Sequence, residues 1–558
     1  MSRVESPVEA VKAGRVDLAL AGAVAAFLTF SLVMGAMSDG CYHDDDLTHY
    51  LMARWSWWYP SYLLHIWGRP GLTVPLAAVS WIGDRFAGWH AARVLSALVS
   101  AAGALLAARL ARRLGVKPAW LVVVFCCAQP LAAVLSYTTL TENWTAFYLV
   151  AATSLMVSGR MILSAAVFSL ALVTRHEAVI FVPIWWIALA MQAQGIWRRL
   201  TAAAISLWAP ILHNLLFFLV FREWAARVYF RPHGSSEYLP GSLLSYIPAA
   251  LTAMSPVIVA LAIAGVRDFW RRDRWLIAAM PIAFLVVHAV IKWRGVFASG
   301  GYGRFMVAVT PFVAILATQG LQRILRRRRT VVVWAAMIVV IGMGWISLEA
   351  ERFLGVLDLA NRRQMLTGRA VLAGALVLSL IAMFTVRIRR LAVVQNFVAI
   401  CLLVGIVAQW VVIVRPLRFG EDQRAAIAVA DWINQTASTD VPIFATNPWL
   451  VYQLGLVEHP RAHKGPRLLA SMPEGTLVVW DSRYSESDFH RLSRGLIMGK
   501  LRCTPMRSFE RGNSQAAGFE VFLKTAPTPD WVPEETTYPA DIGTQSRPIT
   551  GIFYCREP

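Results

Sequence analysis

One short run concentrates the residues able to do chemistry: His43-Asp44-Asp45-Asp46-Leu47-Thr48-His49-Tyr50. Three adjacent carboxylates offer general-base or metal-ligand chemistry. A helix N-cap would use one acid, not three. His49 follows Asp45 by four residues, on the same helical face, where it could orient that acid or contact an acceptor. The run sits directly after an apolar stretch, Leu18 to Met37, and before an aromatic segment ending in Trp67-Gly68-Arg69-Pro70. A carboxylate at the bilayer centre costs roughly 2.5–3.5 kcal/mol on insertion scales. Asp44, Asp45 and Asp46 must therefore face water or a lined cavity at a membrane edge.

Other polar motifs also stand where apolar stretches end: Tyr137-Thr138-Thr139-Leu140-Thr141-Glu142-Asn143, Thr174-Arg175-His176-Glu177, Lys292-Trp293-Arg294 and Gly300-Gly301-Tyr302-Gly303-Arg304. Arginine and lysine supply phosphate binding. Arg304 is the strongest phosphate candidate, because the neighbouring glycines allow close backbone approach to a ligand. Each motif also has a plainer reading. Glu142 could cap the helix that follows it. Arg175 and Glu177 could pair within a polar turn around His176. Lys292 and Arg294 could snorkel to the interface, and Arg69 could belong to a structural turn.

The elements that must hold these residues are membrane spans. The chain has 558 residues, 57% of them hydrophobic, against about 45–50% in soluble domains. Apolar stretches long enough to cross a bilayer fall near 18–37, 90–110, 118–136, 142–158, 160–174, 177–193, 200–221, 246–266, 275–291, 303–321, 331–349, 369–386 and 392–414. This predicts about thirteen spans in a mainly α polytopic bundle over 1–414. The net charge of +20 is explained by placement rather than by nucleic acid. Basic clusters at Arg112-Arg113, Arg198-Arg199, Arg271-Arg272 and Arg326 to Arg329, among others, fall on one side under this count. The positive-inside rule makes that side cytoplasmic. The N-terminus is then cytoplasmic, and the polar motifs and C-terminal region lie outside. The first apolar stretch is longer than a signal-peptide core and reads as a signal anchor.

Loop 38–89 is long for a bundle connection and strongly aromatic. Asp45 or Asp46 could cap a helix running to about Trp58, Pro60 would break it, and a second short helix could reach Trp67. Both read as helices lying along the membrane. Residues 415–524 read as a small α/β domain, with helices over Glu421–Asn434, Asn447–Leu454 and Ser485–Leu496 and strands over Val441–Ala445, Thr476–Trp480 and Phe519–Leu523. It has no glycine-rich phosphate fingerprint. The tail, 525–558, reads as extended. Cys503 and Cys555 lie where a disulfide could form.

An acidic pair after the first span, followed by membrane-lying helices, resembles the GT-C superfamily of integral-membrane glycosyltransferases, in its protein mannosyltransferase and lipid A aminoarabinose transferase branch. Asp45-Asp46-Leu47-Thr48-His49-Tyr50, Leu140-Thr141-Glu142, Thr174-Arg175-His176-Glu177 and Gly303-Arg304-Phe305 carry the likeness. It differs in having Asp-Asp within a triplet where Asp-Glu is usual. The resemblance implies a sugar donor on polyprenyl phosphate or pyrophosphate, and transfer to a glycan, lipid or protein acceptor on the outer face of a bacterial inner membrane. By the same analogy Asp45 is the first choice for catalysis, then Asp46. His49, Arg69, Glu142, Arg175, His176, Glu177, Lys292, Arg294, Tyr302 and Arg304 would contact substrate. A divalent cation is used by some members, so metal dependence stays open. The alternative is a transporter or flippase of a lipid-linked glycan, which would need polar groups along a path from both faces. A structural subunit would leave the acidic run without a role.

Overall fold

Caps and prolines divide this apolar chain into helices shorter and more broken than hydropathy alone implies. The computed structural model describes residues 17–326 and 403–528, except 193–194, 230–242, 245, 271–273, 296–301, 405, 408, 412, 439, 457–468, 470–471, 483, 487–491, 510–517 and 527. Among them, four helices are long and apolar enough to cross a membrane: Leu18–Ala36, Arg85–Arg113, Trp275–Arg294 and the continuous Gly303–Arg323. A pair bent by 42°, Ile196–Ile205 and Trp208–Phe221, makes a fifth candidate. The expected spans at 331–349 and 369–386, the start of 392–414, and Cys555 lie outside the described residues.

Several expected spans are interrupted. The 118–136 stretch splits into Trp120–Ala128 and Pro130–Leu135, because Gln129 is extended and Pro130 cannot donate to the preceding turn. The 246–266 stretch splits at Ser255, whose φ of 67° breaks the helix before Pro256. The 90–110 span is longer than expected, Arg85–Arg113, capped by Asp84 accepting from the backbone of Phe86 and Ala87.

The first loop also differs from expectation. Its helix runs Asp44–Trp55, and the N-cap is His43, whose Nδ1 accepts from the Asp45 amide at 3.3 Å. Capping by the histidine leaves all three carboxylates for other partners. Pro60 starts a short 3-10 turn, Pro60–Leu64, and a further helix, Pro70–Ser80, follows. The aromatic residues divide. Trp57, Trp58 and Trp81 are exposed, as interface anchoring requires, whereas Trp55, Tyr62 and Trp89 are buried.

Close crossings of small residues fix the later helices. A Cβ on Gly265 would stand 2.1 Å from the Leu316 carbonyl oxygen, so Pro256–Phe269 and Thr310–Arg326 pack backbone to backbone. Gly303 is equally constrained, with the Ala249 carbonyl oxygen 2.5 Å from a would-be Cβ. Close approach at Gly303 therefore serves packing of the chain on itself, while Gly300 and Gly301 lie outside the described residues.

The C-terminal region forms a four-stranded sheet in the order β1-β2-β4-β3, with β1 Ile443–Ala445, β2 Leu477–Asp481, β3 Cys503–Phe509 and β4 Phe519–Lys524. β1 and β2 are parallel, and the remaining pairs are antiparallel. β3 was not expected from sequence: it is a mostly exposed edge strand with Pro505 beside a bulge, so it lacks an alternating apolar signal. The expected 485–496 helix is instead Arg494–Gly499, capped by Ser493, with 487–491 outside the described residues.

This region is fastened to the first loop. Asp39 and Gly40 amides donate to Leu417 O at 3.0 Å, and a Cβ on Gly40 would meet Arg418 O at 2.4 Å. Gln423 donates to Cys41 Sγ at 3.0 Å, and Arg85 donates to Gln453 O at 2.9 Å. Tyr50, Trp89, Trp449 and Tyr452 complete an aromatic core shared between the two.

Candidate functional site

Three consecutive carboxylates on a helical first turn point about 100° apart, and each finds a different partner. Asp46 turns inward and is fully buried. Its Oδ1 accepts from the Thr139 amide at 2.6 Å and from Thr139 Oγ1 at 2.5 Å, and Oδ2 from the Tyr42 amide at 3.5 Å. Burial pushes this carboxyl up, against Arg93 and the Thr139 donors. Asp44 turns toward the C-terminal region and accepts from the Tyr484 hydroxyl. Asp45 turns toward the bundle, where Arg304 Nη2 meets its Oδ2 at 2.6 Å and His43 Nδ1 lies at 3.3 Å. Burial acts to raise Asp45, but His43 and Arg304 outweigh it and hold the group well below the usual carboxylate range.

From Asp45 an alternating ion network runs through segments far apart in sequence. Arg304 Nε lies 3.5 Å from Glu142 Oε1. Arg175 Nη1 binds the same Glu142 oxygen at 2.6 Å, and Arg175 Nη2 binds Glu177 Oε1 at 2.8 Å. Glu177 Oε2 lies 3.6 Å from Arg69 Nη1 and 3.7 Å from His176 Nδ1. Counting the arginines and carboxylates, three positive groups (Arg69, Arg175, Arg304) face three negative ones (Asp45, Glu142, Glu177). The Phe305 ring lies under both Arg175 and Arg304, and the Tyr302 ring also faces Arg304.

Local structure explains these positions. The polar loop 137–141 is wholly buried, because the acidic helix covers it. Glu142 is the first residue of the Glu142–Val157 helix but does not cap it: the N-cap is Thr141, with no side-chain cap bond, and Glu142 is 1% exposed and clamped by two guanidiniums. Arg175 is extended at the end of Met161–Thr174, which aims its side chain back across the bundle, and Thr141 Oγ1 accepts from it at 3.0 Å. Arg69 holds φ at 64°, a conformation costly for a non-glycine residue. Its Nε and Nη1, like Arg304 Nη1, are buried atoms without a hydrogen-bond partner among the described residues.

His49 lies beneath the network, with Nδ1 at 3.3 Å from Thr139 O, and burial pushes its imidazole down to about 4. Lys292 and Arg294 close the Trp275–Arg294 helix; Arg294 is exposed and stacks on Trp293, consistent with the snorkelling reading. Thr139, Thr141 and Tyr484 were not among the expected site residues. The first two stand inside the singled-out 137–143 motif, whereas Tyr484 carries no local signal.

The donor set does not fit a metal ion. Among the described residues no group of three or more His, Cys, Asp or Glu side chains converges, and each carboxylate of the network faces a guanidinium.

This arrangement can be compared with known proteins. Neither a family model nor a curated protein matches the sequence. Solved structures do. The crystal structure of ArnT from Cupriavidus metallidurans in the apo state aligns with a TM-score of 0.60 at 16% identity, covering 89% of this chain and 97% of that one. The fold is ArnT-like. The same protein bound to undecaprenyl phosphate aligns at 0.59 and 15% identity, again over 89% and 97%. The likeness is one of fold, extending over nearly the whole of both chains. An ArnT-like fold, with the apolar helices above, makes the chain an integral membrane protein.

Proposed function

We propose that this chain is a GT-C-type glycosyltransferase moving a sugar from a polyprenyl-phosphate donor to an acceptor on the outer face of the membrane. One observation carries the reading: the charge-balanced network from Asp45 to Arg69, buried in an apolar bundle yet holding arginine nitrogens with no hydrogen-bond partner among the described residues. Buried guanidinium groups left partly unsatisfied are expensive, and a phosphate oxygen would satisfy them. The undecaprenyl phosphate held by ArnT supports a donor of that class.

In this reading the isoprenoid tail stays in lipid while Arg304 and Arg69 receive the phosphate. Binding adds negative charge to a balanced network and draws Arg304 from Asp45. Both changes raise the proton affinity of Asp45, so a carboxylate held ionised in the empty site becomes a competent base when the donor arrives. The acceptor hydroxyl oxygen attacks the anomeric carbon, its proton passes to Asp45, and the sugar–oxygen bond breaks with its electron pair leaving on polyprenyl phosphate. Arg304 stabilises that charge as it develops. By analogy, a single displacement inverts the anomeric centre. Asp46, saturated by Thr139, builds the site rather than acting in it. The interleaved guanidiniums favour a base over a metal ligand for the acidic run.

The test is transfer of radiolabelled sugar from a polyprenyl-phosphate-sugar pool to endogenous acceptors in membranes containing the wild-type chain. Label appearing in acceptor, dependent on this chain, supports the reading. No transfer with a panel of such donors, with polyprenyl phosphate still bound, would instead favour a transporter.

A further inference from the structure

Tyr484 carries a side-chain hydrogen bond from the C-terminal region to the first turn of the acidic run, and it stands on a prepared support. It follows the carboxyl end of β2. There buried Asp481 accepts from the Tyr484 amide at 2.6 Å through Oδ1. Asp481 Oδ2 accepts from Thr446 Oγ1 at 3.2 Å and from Ser485 Oγ at 3.3 Å, and Ser485 Oγ also accepts from the Asp481 amide at 3.0 Å. Thr446 follows β1, so the parallel β1–β2 pair fixes this turn from both strands. The tyrosine side chain crosses from there to the first turn of the Asp44–Trp55 helix and donates to Asp44.

This strut has an electrostatic purpose. Asp44, Asp45 and Asp46 repel one another, and Asp44 lies beside the Asp45 that faces Arg304. A hydroxyl donor of fixed position keeps Asp44 directed away from the network, so that Asp45 is the one aspartate of the three that pairs with Arg304. We propose that Tyr484 is a positioning residue: from the C-terminal region it sets the register of the acidic turn, and the network at Asp45 is incomplete without it. The kinetic part of this inference rests on the transferase reading; the structural part does not.

The experiment is hydrogen–deuterium exchange on the full chain in nanodiscs, comparing wild type, Tyr484→Phe, Asp44→Asn and the double variant, with transfer kinetics alongside. Removing only the hydroxyl should speed exchange of amides in 43–50 by about tenfold, the scale of one charge-assisted bond. The Glu421–Thr436 helix and β2 should exchange as in wild type. The double variant should exceed Tyr484→Phe little, since both break the same bond. Transfer should fall in kcat while donor KM stays within about twofold, because the donor phosphate does not meet Tyr484. Unchanged exchange over 43–50 overturns the strut whether or not the chain transfers sugar. Faster exchange with unchanged kcat overturns the positioning role while leaving the transferase reading intact. Absence of transfer by wild type refutes that reading, and the exchange data still decide the strut.

Discussion

Asp45→Asn separates the two roles that the proposed transferase reading gives to one carboxylate. The substitution keeps an oxygen near Arg304 but removes a negative charge 2.6 Å from its Nη2 and shifts the network from balance to a net charge of plus one. At an effective dielectric constant near 20, two charges about 4 Å apart interact by about 4 kcal/mol. Most of that is offset by solvation in the empty site. If a third of it becomes available to a phosphate, affinity rises by about tenfold. The same change removes the proton acceptor, and loss of a general base lowers rate by about 10²–10⁴-fold. The expected signature is thus tighter binding of polyprenyl phosphate with transfer nearly abolished. Binding would be measured by titration calorimetry with polyprenyl phosphate, and transfer by single-turnover label release. Transfer within about threefold of wild type would refute Asp45 as base. Binding that falls together with transfer, in a protein of unchanged melting temperature, would refute the charge argument and make Asp45 a donor-binding group.

Three further outcomes follow from the same geometry. Glu142→Gln leaves Arg175 and Arg304 without their shared anion at a site 1% exposed, so the protein should lose about 3–5 kcal/mol; an unchanged thermal midpoint in detergent would contradict the network. Burial pushes the His49 imidazole down to about 4 from its ordinary 6.5, so the unfolded chain binds the extra proton between those values. Stability should therefore fall as pH drops from about 6.5 to about 4, by about 3 kcal/mol from this residue, and His49→Gln should flatten that slope in a melting-temperature series. Arg69→Gly relieves a φ of 64° at the cost of the 3.6 Å contact to Glu177; stability should stay within about 1 kcal/mol while polyprenyl phosphate binding weakens, and tight binding by the variant would remove Arg69 from the phosphate site.

The sequence by itself determined the material of this protein. Hydropathy placed apolar helices, because the absence of water forces backbone groups to pair within a segment. The cost of charge in lipid marked Asp45, Glu142, Arg175 and Arg304 as residues with a purpose, and these four meet in one network. Strands β1, β2 and β4 were legible because buried strands are continuous apolar runs. Edge strand β3 was not, since an exposed strand bearing Pro505 carries no such pattern.

Only the tertiary structure decided which acid meets which partner. Asp44, Asp45 and Asp46 are identical in type and adjacent in sequence; their fates differ because a helical turn directs them toward Tyr484, Arg304 and Thr139, which lie about 90 to 440 residues away. The same holds for the glycine beside Arg304, used against Ala249, and for Arg294, left at the surface. A side chain's chemistry is local, but its partner, burial and proton affinity are set by which distant segments the bundle brings against it.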